Sequence, residues 1–222
     1  MKQRARKAIM KRFLSGQVLA AGPVIVGAIL AVPLSACSAA PPAEPTATTE
    51  ASPILAGDAI ARAEEWVSVQ LQYCQAANHE PDGDSACSST CNRMSNPDWD
   101  AYRSDCSGLV SWAWGLPAPG RVTAEFAPGQ SDITHTINAA NLQTGDAVNI
   151  PGSHIMLFKE WVTQGTSATF IEEPGCSSAT PYAHEFTSNV SISGSSIHVS
   201  AKGRTFHAIH YNGLVAGGGG GG

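Results

Sequence analysis

Apolar and polar positions divide this chain into a helix-patterned half and a strand-patterned half. Ile60, Ala63, Val67, Leu71 and Cys74 recur at helical spacing, so a helix capped by Asp58 is expected over 58–75 with one stripe facing a core. Trp66 and Tyr73 lie beside that stripe as packing aromatics, and the Tyr73 hydroxyl can reach toward a cleft. The apolar run 109–114, broken only by Ser111, reads as a buried second helix, stopped by Gly115-Leu116-Pro117-Ala118-Pro119-Gly120. Residues 121–142 carry no assignable period. Beyond them, short apolar segments at 147–150, 154–161, 168–173, 190–199 and 205–211 alternate with turns such as Pro151-Gly152-Ser153 and Thr163-Gln164-Gly165-Thr166. That is the pattern of an antiparallel meander.

The polar stretches set the boundaries. Lys2, Arg4, Arg6, Lys7, Lys11 and Arg12 precede an apolar run over 18–33 that Gly22, Pro23 and Gly27 interrupt. This order reads as a secretory signal over 1–36 rather than a membrane span. Leu34-Ser35-Ala36-Cys37 resembles a bacterial lipobox, which would make Cys37 the lipidated N-terminus of an exported, membrane-anchored protein of the cell envelope. An Ala/Pro/Thr/Ser-rich linker over 37–57, a folded domain over 58–215 and a glycine tail over 216–222 follow. Loss of 1–36 removes six of thirteen Lys+Arg and no acidic residue, and the remaining seven against eighteen Asp+Glu leave a formal charge of −11. No basic patch remains, so nucleic acid is not an expected partner.

Cysteine usage narrows the chemistry. With Cys37 assigned to lipid, Cys74, Cys87, Cys91 and Cys176 form an even set that suggests two disulfides of open connectivity. They would staple the turn-rich segment 76–102, which is long for an unsupported loop. A zinc site built from Cys74, His79, Cys87 and Cys91 is the weaker alternative, because the spacing lacks a second tight pair. Cys106 differs in context. Ser104 or Asp105 can cap the second helix, which puts Cys106 in the first turn, where free N–H groups and the helix dipole favour a thiolate. Beside a His⁺ such a thiol falls from about 8.5 into the range of about 3.5–7.5. A thiolate nucleophile needs a base, and the base needs an orienting group. Among seven histidines, His154 follows a Pro-Gly-Ser turn and opens an apolar strand. His198, His207 and His210 lie in expected strands, and His79, His135 and His184 in loop-like contexts.

Three blocks, in this order, carry a family resemblance. Asp105-Cys106-Ser107-Gly108-Leu109-Val110 resembles the nucleophile motif of the NlpC-type cysteine peptidases, cell-wall hydrolases with a papain-like core. Gly145-Asp146-Ala147-Val148 with His154-Ile155-Met156-Leu157-Phe158 resembles their histidine block. Phe170-Ile171-Glu172-Glu173 stands where the family carries a third polar residue. The resemblance implies an α+β, papain-like fold in which a helical part bearing the nucleophile packs on an antiparallel meander. It makes Cys106 the nucleophile, His154 the base and Glu172 the orienting group, although the family more usually has His, Asn or Gln there. Strand alternation sends Glu172 and Glu173 to opposite faces, and the register favours Glu172. Tyr73, Asp105 and Ser107 are expected to contact substrate. No cofactor or metal is required.

The implied reaction is amide hydrolysis in peptidoglycan stem peptides by a monomeric thiol protease, with the D-glutamyl–diamino acid bond as the family's frequent target. Two other readings compete: a non-catalytic lipoprotein that binds cell-wall peptide, and an amidase that cuts between the sugar and the first stem residue. Acyl transfer to another acceptor ranks below both.

Overall fold

A computed structural model describes residues 52–84 and 87–217. The expected signal segment, Cys37, most of the expected linker and the end of the glycine tail lie outside the described residues. The elements in chain order are β1 (Ile54–Leu55), α1 (Ala56–Ser68), α2 (Cys106–Ala113), β2 (Thr134–Thr136), β3 (Ala147–Ile150), β4 (His154–Thr163), β5 (Ser167–Glu172), β6 (His184–Ser193), β7 (Ser196–Val199), β8 (Arg204–Tyr211) and β9 (Leu214–Val215). No helix among the described residues is long and apolar enough to cross a membrane.

The expected α+β, papain-like arrangement is not what forms. The molecule is mostly β, and its antiparallel sheet closes into a six-stranded barrel. Neighbouring strands pair in the order β8-β3-β4-β5-β6-β7, and β7 returns to β8. Both closing contacts use β8: Ala147 pairs with Ile209 on one edge, and Ile197 with Phe206 on the other. Closure removes the free edges that an open meander would expose. Hairpin signals along the chain report neighbouring strands, whereas closure depends on pairings between distant segments, so local patterning suggested an open sheet.

Period-2 alternation sorts the barrel side chains into two cores. Val148, Met156, Phe158, Phe170, Phe206 and Ala208 fill the barrel interior. Their chain neighbours Ala147, Ile155, Leu157, Ile171 and Ile209 point outward into a second core built with α1 and α2. This explains why β3 to β5 read as nearly continuous apolar runs.

The first helix is shorter than its periodicity suggests. It ends at Ser68, and its N-cap is Leu55 with no side-chain cap, while Asp58 sits in the first turn. Gln70 takes a left-handed φ of 48°. The chain then runs extended, bridging Gln72 to Tyr182 and Cys74 to Ser104. Tertiary pairing thus overrides helical periodicity after Ser68. Residues 121–142, which show no period, fold into single turns of 3₁₀-helix and the short β2.

Disulfides Cys74–Cys91 and Cys87–Cys176 staple the long loop. Buried Arg93 orders the rest from inside, donating to the carbonyls of Ala76, Trp99, Asp100 and Tyr102 and to Ser104 Oγ. Satisfying so many buried carbonyls from one side chain gives the segment a fixed course without regular secondary structure.

Candidate active site

The site is assembled where α2 meets the start of β4. Asp105 caps α2: its Oδ1 accepts from Gly108 N–H at 2.6 Å and from Ser107 Oγ at 2.9 Å. Its Oδ2 accepts from Arg103 Nε at 3.0 Å. Gly108 is required in this cap because a Cβ there would lie 1.8 Å from the Arg103 carbonyl oxygen. Reciprocal bonds hold α2 to α1, with Arg62 Nε donating to Trp112 O and Trp112 Nε1 donating to Arg62 O. The Arg62 guanidinium also lies over the Trp112 ring, 3.7 Å from its centroid. Trp114 stacks on Tyr211 and donates to Gly145 O, which ties the same helix to the barrel.

This framework sets Cys106 at the first position of α2, with the backbone N–H groups of Ile155, Ser107 and Cys106 itself directed at its sulfur. Cys106 is the unpaired cysteine among the described residues. His154 is the residue before Ile155 and opens β4. It falls in phase with interior-facing Met156, so its ring stands at the barrel mouth, near Phe206. Glu172 closes β5 in phase with Phe170 and is fully buried. His154 Nε2 donates to Glu172 Oε2 at 2.8 Å. In the neutral ring that bond puts the proton on Nε2 and the lone pair on Nδ1.

Glu172 gathers more partners than any strand-end position suggests. Its other oxygen accepts from His184 Nε2 at 3.2 Å and from Lys202 Nζ. Burial alone would raise this carboxyl, but the bonds from His154, His184 and Lys202 outweigh burial and hold it well below the usual carboxylate range. His184 also faces the Tyr182 carbonyl through Nδ1. The bond to Glu172 raises the His184 pKa, against the opposing effect of burial, and acceptors at both ring nitrogens favour the protonated form. Glu173 points the opposite way. It is fully buried, and neither carboxyl oxygen has a partner among the described residues. Burial, reinforced by the charges of Asp105 and Glu172, keeps it protonated well above the ordinary range.

The thiol departs from expectation. Burial, followed by the Asp105 carboxylate, pushes Cys106 up to about 12 in spite of the N–H groups around it. The helix N-terminus therefore does not by itself produce a resident thiolate, since desolvation of the sulfur exceeds the help from those donors.

Two clefts meet at Ser153, one holding Cys106 and the other His154. One, of about 340 Å³, is lined by Tyr73, Gln75, Arg103, Asp105, Cys106 and Ser107 among others. The other, of about 250 Å³, is lined by His154, Glu172, Ser178, Lys202, Arg204 and Phe206 among others. Burial pushes the Tyr73 hydroxyl up to about 12, so it serves as a neutral hydrogen-bonding group, accepting from Gln75 Nε2 at 2.9 Å. Asp105 and Ser107 border the same cleft but are engaged in the cap.

Tyr73, Asp105, Cys106 and Ser107 thus share one cleft and His154 with Glu172 the other, the two meeting at Ser153, whereas Glu173 faces away from His154. His184 and Lys202 escaped the reading of the sequence. His184 pairs directly across from Glu172 in the β5–β6 register, so extending the strand pattern back from residue 190 would have found it. Cys74, Asp82 and Cys91, and likewise Asp84, Cys87 and Cys176, cluster closely enough to hold a metal. Their sulfurs are consumed in disulfides and are not thiolate ligands. A scan against family models finds no match to this chain, and searches of curated proteins and of solved structures find none either.

Proposed function

We propose that the protein is an exported thiol hydrolase that cleaves amide bonds in peptidoglycan stem peptides. The observation that carries the reading is the oriented His154. Its Nε2 is bonded to a buried, ionised Glu172, and the next residue along β4, Ile155, directs its backbone N–H at the Cys106 sulfur.

In this mechanism His154 Nδ1 takes the thiol proton as Cys106 Sγ attacks the amide carbonyl carbon. The Cys106 N–H, at the helix N-terminus, donates to the oxyanion. The C–N bond then breaks, the imidazolium gives its proton to the leaving amine, and a thioester remains on Cys106. Water attacks the thioester with His154 again as base, releasing a carboxylic acid and restoring the thiol. Glu172 stabilises the imidazolium in both halves while His184 and Lys202 keep Glu172 ionised.

The substrate class rests on the ordered motifs around Cys106, His154 and Glu172 that resemble NlpC-type peptidases, and on the signal-like N-terminus. Two disulfides support an oxidising compartment. Acyl chains on Cys37 would hold the enzyme beside the wall polymer. One observation favours a second reading, a non-catalytic peptide-binding lipoprotein: the raised thiol pKa. Digestion of purified stem peptides by wild type and by Cys106→Ala, with products read by mass spectrometry, separates the two. New fragments from wild type alone support the hydrolase and identify the bond. Peptide binding without fragments from either protein overturns it.

A further inference from the structure

We propose that His135 and His210 form a second site, one that binds a divalent transition-metal ion of the zinc class. The two residues are direct partners in the antiparallel β2–β8 register, so both imidazoles stand on one face of that ribbon. Their ring centroids are 5.2 Å apart, with planes tilted by 56°.

The outer groups fix both tautomers. His210 Nδ1 donates to Asp146 Oδ1 at 2.6 Å, and His135 Nδ1 donates to Asn212 Oδ1 at 2.7 Å. Asn212 Nδ2 in turn donates to Asp132 O, which orients the amide with its oxygen toward His135. In its neutral form each ring therefore presents a lone pair on Nε2, and neither Nε2 has a partner among the described residues. A carboxylate or amide oxygen behind the ring is the arrangement that orients metal-binding histidines and raises their basicity.

The spacing fits. A zinc–nitrogen bond of about 2.0–2.1 Å puts each ring centroid about 3.2 Å from the ion, and two rings on adjacent tetrahedral corners then lie about 5.2 Å apart. The pair borders a cavity of about 450 Å³, walled in part by Asn138, Asn141 and Gln143, which leaves room for water ligands. Imidazole donors favour zinc, copper or nickel over magnesium or calcium. A purely structural role accounts for the His210 bond to buried Asp146. It does not account for exposed His135 held in the matching tautomer by a second acceptor.

The test is calorimetric titration of ZnCl₂ into the purified chain carrying Cys106→Ser, which removes the active-site thiol as a competing ligand. One saturable site of unit stoichiometry is expected. His135→Ala, added to that background, weakens it at least about tenfold, while His79→Ala leaves it unchanged. His135 is exposed, and thermal unfolding without metal verifies that its replacement leaves the fold intact. Absence of saturable Zn²⁺ binding in the parent, or an unchanged isotherm in His135→Ala, overturns the proposal.

Discussion

Glu173 makes a demanding test of the electrostatics beneath the nucleophile helix. Its carboxyl is fully buried with both oxygens unpartnered, and its pKa is raised above the ordinary 4.5 by burial and then by Asp105 and Glu172. A raised native pKa contributes stability that is fully present below the unfolded value and is lost as pH climbs toward the native one. Between those two values each pH unit removes about 1.4 kcal/mol. Two substitutions separate the contributions. Glu173→Gln keeps polar atoms in place but cannot ionise, and Glu173→Met removes the polar atoms as well. At pH 4 Glu173 is protonated in the native state and largely so in the unfolded chain. Glu173→Gln then matches wild type to within a few tenths of a kcal/mol. Glu173→Met gains about 1–3 kcal/mol for each orphaned group removed, reduced by any overpacking. At pH 7 both variants gain further on wild type, by the titration contribution. Urea unfolding at both pH values, with disulfides intact and slopes compared, reads these differences, and the titration of Glu172 cancels because all three proteins share it. An advantage for Glu173→Gln that is the same at pH 4 and pH 7 would refute the argument.

Four further outcomes follow from the same structure. Because burial holds the Cys106 thiol up to about 12, alkylation by iodoacetamide is slow at neutral pH and accelerates into the alkaline range; a rate plateau below pH 7 would show a resident thiolate instead. Glu172→Gln exchanges a charge-assisted bond to His154 for a neutral one, worth about 1.5–3 kcal/mol, so kcat/KM for stem peptides falls about 10- to 150-fold. That loss is smaller than those of Cys106→Ala or His154→Ala and larger than that of Glu173→Gln. Chain-entropy arguments assign about 4–5 kcal/mol to Cys87–Cys176, which spans 89 residues, and about 3 kcal/mol to Cys74–Cys91, which spans 17; guanidinium unfolding of the paired Ala variants should rank them in that order. His184 gains its raised pKa from Glu172, so its contribution is complete below the unfolded value of 6.5 and fades as pH rises through the native one. The stability gap between wild type and His184→Gln therefore narrows on going from pH 6 to pH 9, and a constant gap would mean that His184 is neutral.

How much of this could be read along the chain depends on how local each cause is. The Asp105 cap, Cys106 at the start of α2 and His154 opening β4 after a Pro-Gly-Ser turn are set by a few neighbouring residues, and those positions were legible. The separation of Glu172 from Glu173 also follows from alternation alone. Barrel closure was not legible, because the β3–β8 pairing of Ala147 with Ile209 joins segments that no turn connects. The same limit applies to α1, whose apolar spacing continues past Ser68 although bridges to Tyr182 and Ser104 draw the chain straight. Arg93 reads as an ordinary loop cation until the carbonyls it serves converge on it. The direction of the Cys106 shift inverted the expectation because dipole and capping effects belong to the helix, while desolvation belongs to the barrel strand packed over it.

The central claim is that Cys106 carries the acyl group during amide cleavage. It is tested most directly by quenching the purified chain in acid while it turns over a stem peptide, and then mapping the adduct by mass spectrometry. The account predicts an acyl group, lost on mild alkaline treatment, on the peptide containing Cys106 in wild type and none in Cys106→Ala, which also releases no product. Product release by Cys106→Ala, or steady turnover by wild type with Cys106 unmodified throughout, would contradict it.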